Sequence, residues 1–430
     1  MSCKKYYFLN LGCPKNQTDG DLLRGTLNSL GFTEINNPVE ANFIVVNTCA
    51  FIEQARRETK GEIKELLPYK KNGTKLVVVG CYPVLYDIRD EIPAIDAAFG
   101  LNQVDNFLSY VAGKERVRNL LGCCWDKCEI QRPKPETSYA YVKISDGCDN
   151  RCSYCTIPMI RGPYRSISPA KVLKEVEYLT AGGVKEIVLV AQDSCLYGKD
   201  LDGNVDLADL CRLIARVDGV EWIRVMYAHP AHLSDDLMDR LFAIDKVCRY
   251  LDMPIQHISG KILKKMRRHS KPDRIKQIIK RLRNIDKSIS LRTTLMVGFP
   301  GETDDDYKKL LDFVEQTEFD YLGAFCFSPE EKTEARDFSE VVDPQLIDER
   351  FELLIDVAER VASRRAMMQI GKKQKLLVDW LSADDSACYE ARSYRQAPEI
   401  DGYYKICNGP NIHPGMFIEA VIKDIDRAEL

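Results

Sequence analysis

Hydrophobic positions in the first hundred residues fall into short runs, at Tyr6–Leu11, Phe43–Val46 and Lys75–Val79, separated by stretches of helical periodicity. Runs of this length, rich in Val, Ile and aromatic residues, read as strands, and their alternation with helices predicts a parallel sheet over residues 1–115. The pattern lapses in charged, cysteine-bearing sequence ending in Glu129-Ile-Gln-Arg-Pro-Lys-Pro-Glu136, so 116–137 reads as a linker. Six further strand candidates follow, at Tyr139–Ile144, Glu186–Val190, Trp222–Val225, Tyr250–Met253, Ser290–Val297 and Tyr321–Phe327. With helix-like segments between them they predict a barrel-like α/β domain over 138–368, with working loops at the carboxyl ends of its strands. An amphipathic helix from about Pro344 to Met368 ends it. After Gly371 the texture changes to short strands between Gly and Pro turns, at Leu376–Val378, Gly402–Lys405 and Phe417–Ile422, which predicts a small all-β barrel over 369–430.

Composition narrows the class of protein. A chain of 430 residues, 45% hydrophobic and 29% charged, buries large cores in two to three domains and is no disordered chain. Its 61 basic and 65 acidic residues give a net charge of −4, which argues against a non-specific nucleic-acid binder and makes any RNA contact local. No apolar stretch approaches the roughly 18 residues of a membrane span, and Lys4-Lys5 precedes too short an apolar run for a signal peptide. A cytoplasmic protein without a membrane partner is expected. In that reducing compartment sixteen cysteines are better explained by metal or catalytic thiols than by disulfides.

Two cysteine sets stand out. Cys148, Cys152 and Cys155 form a C-x3-C-x2-C run directly after a strand. Three thiolates within eight residues can face one metal centre; zinc normally takes a fourth protein ligand, whereas a [4Fe-4S] cluster held by three thiolates leaves one iron open for chemistry. Cys13, Cys49 and Cys81 are far apart in sequence, yet each follows a predicted parallel strand within three residues, and loops at the carboxyl ends of such strands share one crevice. Gly12 and Gly80 would let backbone approach that crevice closely. Buried structural cysteine is the competing reading for each set.

The first run, with Tyr154 before its last cysteine, resembles the radical S-adenosylmethionine (SAM) signature. Both triads together, with the barrel and the terminal β domain, resemble the methylthiotransferase family over nearly the whole chain. The resemblance implies a Rossmann-like amino-terminal domain whose Cys13, Cys49 and Cys81 carry an auxiliary [4Fe-4S] cluster. It also implies a partial TIM-type barrel whose Cys148, Cys152 and Cys155 carry the SAM cluster, and a terminal TRAM module. Gly12-Cys-Pro-Lys-Asn16, Cys49-Ala-Phe-Ile52, Gly147–Pro158, Tyr250-Leu-Asp-Met-Pro-Ile-Gln-His257 and Ala397–Gly402 are similar to the branch that modifies an aspartate of a small-subunit ribosomal protein. The branch acting on tRNA adenosine is the alternative.

By that resemblance, one SAM supplies a 5′-deoxyadenosyl radical that takes hydrogen from an unactivated carbon, and another supplies the methyl of a methylthio group assembled at the auxiliary cluster. An electron donor and a sulfur donor are implied partners. Tyr154, Gln192, Asp193 and Arg292 are the expected SAM contacts, and Phe299-Pro-Gly-Glu302 a neighbouring turn. His257 reads as a satisfied core histidine, and Cys123, Cys124 and Cys128 as surface thiols of the linker. Residues 369–430 hold eight basic and ten acidic side chains, a net of −2. Such a module grips phosphates poorly and suits a basic protein surface, which makes tRNA an unlikely substrate.

Overall fold

The computed structural model describes residues 4–71, 73–113, 132–385, 387–407 and 411–425. The chain forms two compact units, one of Met1–Lys134 with Asp146–Asp149 and Cys155–Lys174, the other of Pro135–Ser145, Asn150–Tyr154 and Glu175–Leu430. Cys123, Cys124 and Cys128 lie outside the described residues. No described helix is long and apolar enough to cross a membrane.

The first unit is built on a five-stranded sheet in the order Thr33–Glu34, Lys5–Asn10, Phe43–Thr48, Lys75–Gly80, Ala97–Gly100, with every neighbouring pair parallel. All six residues of Phe43–Thr48 are buried, as expected of a central strand covered on both faces. Apolar clusters lie on each side: Ile44, Val46, Leu76 and Val78 on one, Val45, Val77, Phe107 and Leu108 on the other. Asn10 pairs with Asn47 and Thr48 with Gly80, so the three central strands end level with one another. The residues that follow those ends are Gly12-Cys13, Cys49 and Cys81.

The second unit contains all six expected barrel strands in two parallel sheets, Trp222–Val225 beside Glu186–Val190 beside Tyr139–Lys143, and Tyr250–Asp252 beside Ser290–Val297 beside Tyr321–Cys326. A parallel bridge between Ile223 and Val247 links the two sheets. The helix Pro344–Met367 follows the last strand and packs on it. The terminal module is a four-stranded antiparallel sheet, ordered Tyr404–Cys407, Cys388–Ser393, Lys373–Leu381, Phe417–Val421, with an irregular register between Val378 and Trp380 that bends it. One expectation is corrected here: Cys388 and Cys407, opposite each other on neighbouring strands, form a disulfide. Strand pairing places them where a bond can close, whatever the compartment.

The terminal sheet is fixed to the barrel by buried charge. Arg392 Nε donates to Asp379 Oδ2 at 2.6 Å, and its Nη1 reaches Glu186 Oε2 at 2.8 Å. Glu186 also accepts from Arg224 Nε at 2.6 Å, and Asp379 from the Ser138 hydroxyl at 2.7 Å. These charged side chains are 1% exposed or less. Burial raises the Glu186 carboxyl, yet Arg224 and Arg392 more than offset it and hold the group below its ordinary value. Arg392→Ala leaves Asp379 buried without its cation, and removing one partner of such a network typically costs about 3–5 kcal/mol. Denaturant unfolding of this variant should show a loss of that size, and a change below about 1 kcal/mol would contradict the network's role.

Candidate metal centres

The amino-terminal triad sits on the shared edge of the three central strands. Cys13 is the N-cap of the helix Pro14–Ser29, with Pro14 in the first turn, and Cys81 is the N-cap of the short helix Tyr82–Leu85. Gly12 has φ +91°, and a Cβ there would lie 2.7 Å from Cys49 Cβ and 3.2 Å from Cys49 Sγ, so only glycine lets this loop lie against the Cys49 thiol. Gly80, at φ +101°, is constrained differently, because its Cβ would strike the Thr48 backbone and Asn47. Asn16 ties the loops together, donating from Nδ2 to Leu11 O at 2.6 Å and to Thr48 O at 3.3 Å.

Sequence reasoning missed the cation of this site. Arg161, on the short helix Ile157–Arg161 and with its side chain 1% exposed, donates to Cys81 Sγ at 3.8 Å, Asp19 Oδ2 at 2.9 Å and Asp146 Oδ1 at 3.0 Å. Burial pushes the Cys81 thiol up to about 12, with Arg161 acting the other way. Burial and then Cys13 raise Cys49, against the amides of Phe51 and Ala50 and the Arg161 charge. Cys49 and Cys81 are thus poor anions alone and need positive charge to ionise, which a metal centre supplies.

The donor set fits an iron–sulfur cluster. Among the described residues, the histidine, cysteine and carboxylate groups whose ligand atoms gather within 4.8 Å of one another are Asp193–His229–His232 and Asp385–Cys388–Cys407. Neither group contains a cysteine of the amino-terminal triad. A lone zinc ion normally takes four protein ligands, whereas three thiols on three neighbouring strand ends suit different irons of one cluster, whose fourth iron stays open.

The second triad lies in the loop that follows Ser145–Asp146, and all three of its cysteines are half-buried. In the first unit, Cys148 N donates to Gly162 O at 3.1 Å. Gly147, at φ +75°, has Pro163 O where a Cβ would go. In the second unit, Ser153 is held on three sides: its N donates to Met266 O, its hydroxyl to Lys265 O, and its carbonyl accepts from Ala335 N. The Tyr154 ring meets Phe299 edge-on at 6.3 Å, and its hydroxyl accepts from Arg268 Nη1 at 3.3 Å. Arg268 is buried; against the effect of burial, Tyr154 and Cys152 hold its guanidinium above the ordinary value, and it belongs to no motif.

Asp193 is wholly buried at the end of the Glu186–Val190 strand. It accepts from Asn150 Nδ2 at 3.0 Å and lies 2.7 Å from His232 Nδ1, so it grips the cysteine loop from the strand end. Gln192 beside it keeps its Nε2 buried with no hydrogen-bond partner among the described residues. The same holds for His229 Nε2, and burial pushes that imidazole down to about 2. Arg292 is committed to two carboxylates, Asp252 and Asp401, at 3.2 Å each. His257 is fully buried, its Nδ1 accepting from Ser259 N at 2.8 Å. Phe299–Glu302 is a turn whose Phe299 packs on Tyr154, Phe327 and Phe338.

Comparison with known proteins fits this geometry. Residues 142–314 match the Radical SAM superfamily, residues 5–100 the family described as Uncharacterized protein family UPF0004, and residues 370–430 the TRAM domain. The radical SAM methyltransferase TsrM of Kitasatospora setae superposes with a TM-score of 0.57 at 17% identity, covering 78% of this chain and 77% of its own. The cobalamin-dependent SAM radical enzyme OxsB gives 0.53 at 12% identity, covering 81% of this chain and 56% of its own. At such identities these two share the fold alone. Proteins named ribosomal protein uS12 methylthiotransferase RimO are similar end to end. That of Lachnoclostridium phytofermentans is 37% identical over 99% of both chains, and that of Acetivibrio thermocellus 38% over 99% of this chain and 97% of its own. That of Trichlorobacter lovleyi is 39% identical over 95% and 93%. Two cysteine triads on the expected strand ends, three matching domains and full-length similarity together make this chain a member of the RimO family of radical SAM methylthiotransferases.

Proposed function

We propose that this chain methylthiolates the β carbon of an aspartate in ribosomal protein uS12, using one SAM as radical source and another as methyl donor. The similarity to RimO proteins along the whole chain, amino-terminal and TRAM domains included, carries this reading, and no observation favours tRNA adenosine as substrate. An unactivated C–H carbon is beyond acid–base groups, so a cofactor must open it. When bound, the two [4Fe-4S] clusters and SAM supply the radical and hold the sulfur that is transferred.

The chain's own residues bind and orient these groups. Cys148, Cys152 and Cys155 are the ligands of the SAM cluster, and Asp193, through Asn150, and Ser153 fix their loop. Tyr154 and Phe299 wall that loop with aromatic carbon and exclude water. Gln192 offers its free Nε2 to SAM at the strand end. Arg292, assigned to SAM by resemblance, is better placed to hold Asp252 and Asp401, and its part is to position. Cys13, Cys49 and Cys81 hold the auxiliary cluster, with Arg161 offsetting their negative charge. A cytoplasmic location, an electron donor and a sulfur donor complete the reading. Reconstituted enzyme given SAM with a labelled methyl group and purified uS12 should place that label on one aspartate, read by peptide mass spectrometry. Label on tRNA with none on the protein would overturn the substrate while leaving the chemistry.

A further inference from the structure

A hollow of about 1010 Å³ opens in the second unit between the helix Pro272–Ile285, the end of the helix Pro344–Met367 and the strand Lys373–Leu381. Nine of its lining side chains are Lys or Arg, and Glu318 is the one acid among them. This sorting of charge is local, because the whole chain carries −4 and residues 369–430 carry −2.

Two layers make up the groove. Its floor is three guanidiniums on one buried carboxylate: Arg365 Nε lies 3.1 Å from Asp320 Oδ1, Arg283 Nη2 3.5 Å from Oδ2, and Arg395 pairs with the same Oδ1. One charge cannot balance three, so the floor keeps an excess of positive charge. Burial, with Arg365 and Arg395 beside it, holds the Arg283 guanidinium below its ordinary value despite Asp320. The walls are exposed lysines. Lys276 and Lys280 stand one turn apart on the first helix, and Lys287 follows its end, none with an ion-pair partner among the described residues. Across the groove, Lys373 and Lys375 project from one face of the terminal strand, about 7 Å apart at the usual strand rise. Lys373 is paired with Glu419, and Lys375 lies 3.3 Å from Glu221.

We propose that this groove binds the phosphate backbone of RNA. Two rows of cations flanking an under-neutralised floor match a polyanion of regular charge, which gains affinity by releasing counterions. An acidic peptide is the competing occupant, but its carboxylates lack the even spacing and density that such paired rows serve. Resting on the reading of uS12 as substrate, the RNA is that of the small subunit, and the groove brings the enzyme to its protein target on assembled particles.

The test uses holoenzyme and a fluorescein-labelled single-stranded oligouridylate, read by anisotropy against salt, with labelled polyglutamate as the second probe. The variant Lys276→Gln/Lys280→Gln/Lys287→Gln should bind the RNA at least roughly tenfold more weakly, with the slope of log affinity against log salt shallower by about 2, since each lost contact removes about 0.7. SAM cleavage and modification of free uS12 should be unchanged in it. Equal RNA binding by variant and intact enzyme, or polyglutamate binding as tight as RNA, overturns the proposal. If intact enzyme modifies no uS12 at all, the proposed function fails, and the anisotropy result still decides the groove.

Discussion

Replacing Cys13, Cys49 and Cys81 together with alanine is expected to abolish methylthio transfer while SAM is still cleaved to 5′-deoxyadenosine. The two triads hang on different frameworks, one on the ends of Lys5–Asn10, Phe43–Thr48 and Lys75–Gly80, the other on a loop whose residues 150–154 are held by Asn150 and Ser153. Each alanine fits its site sterically, because a thiol is removed and nothing is added, and Arg161 keeps Asp19 and Asp146 as partners. Iron should fall from about eight to about four per chain, one four-iron cluster of two. Chromatography of the nucleoside products and iron analysis check both halves. Loss of SAM cleavage with the four irons of the barrel cluster retained would show that the triads do not divide the work.

The converse variant, Cys148→Ala/Cys152→Ala/Cys155→Ala, should lose both reactions to background, since acid–base side chains cannot open an unactivated carbon. Iron again falls to about four, now held by the amino-terminal triad. Far-ultraviolet circular dichroism should stay unchanged, because the Ser153 contacts and the Gly147 turn that shape the loop involve no cysteine side chain. Retention of all the iron would mean that the ligands are assigned to the wrong residues.

Much of this architecture can be read from the chain. The six barrel strands lie within two residues of the apolar runs, because buried parallel strands must be apolar on both faces and so stand out. What escaped is short or mixed in character. Thr33–Glu34 has two residues, Ala97–Gly100 is made of small residues around one Phe, and Cys388–Ser393 mixes polar and apolar residues without clean alternation. The gathering of Cys13, Cys49 and Cys81 was legible because strand ends in a parallel sheet share an edge. Arg161 was not, since it meets Asp19 across 142 positions and belongs to no motif. The net charge of −2 over 369–430 is a sum that says nothing of the module's faces: its Lys373, Lys375 and Arg395 join the barrel's lysines around one groove.

Whether this chain puts a methylthio group on an aspartate of uS12 is measured most directly in cells. In a strain deleted for the gene, mass spectrometry of uS12 and of tRNA nucleosides should show the ribosomal protein without its methylthio group and tRNA unchanged. The intact gene should restore the modification, and the Cys13→Ala/Cys49→Ala/Cys81→Ala form should not. A fully modified uS12 in the deleted strain, or a methylthioadenosine lost from its tRNA, would contradict the account.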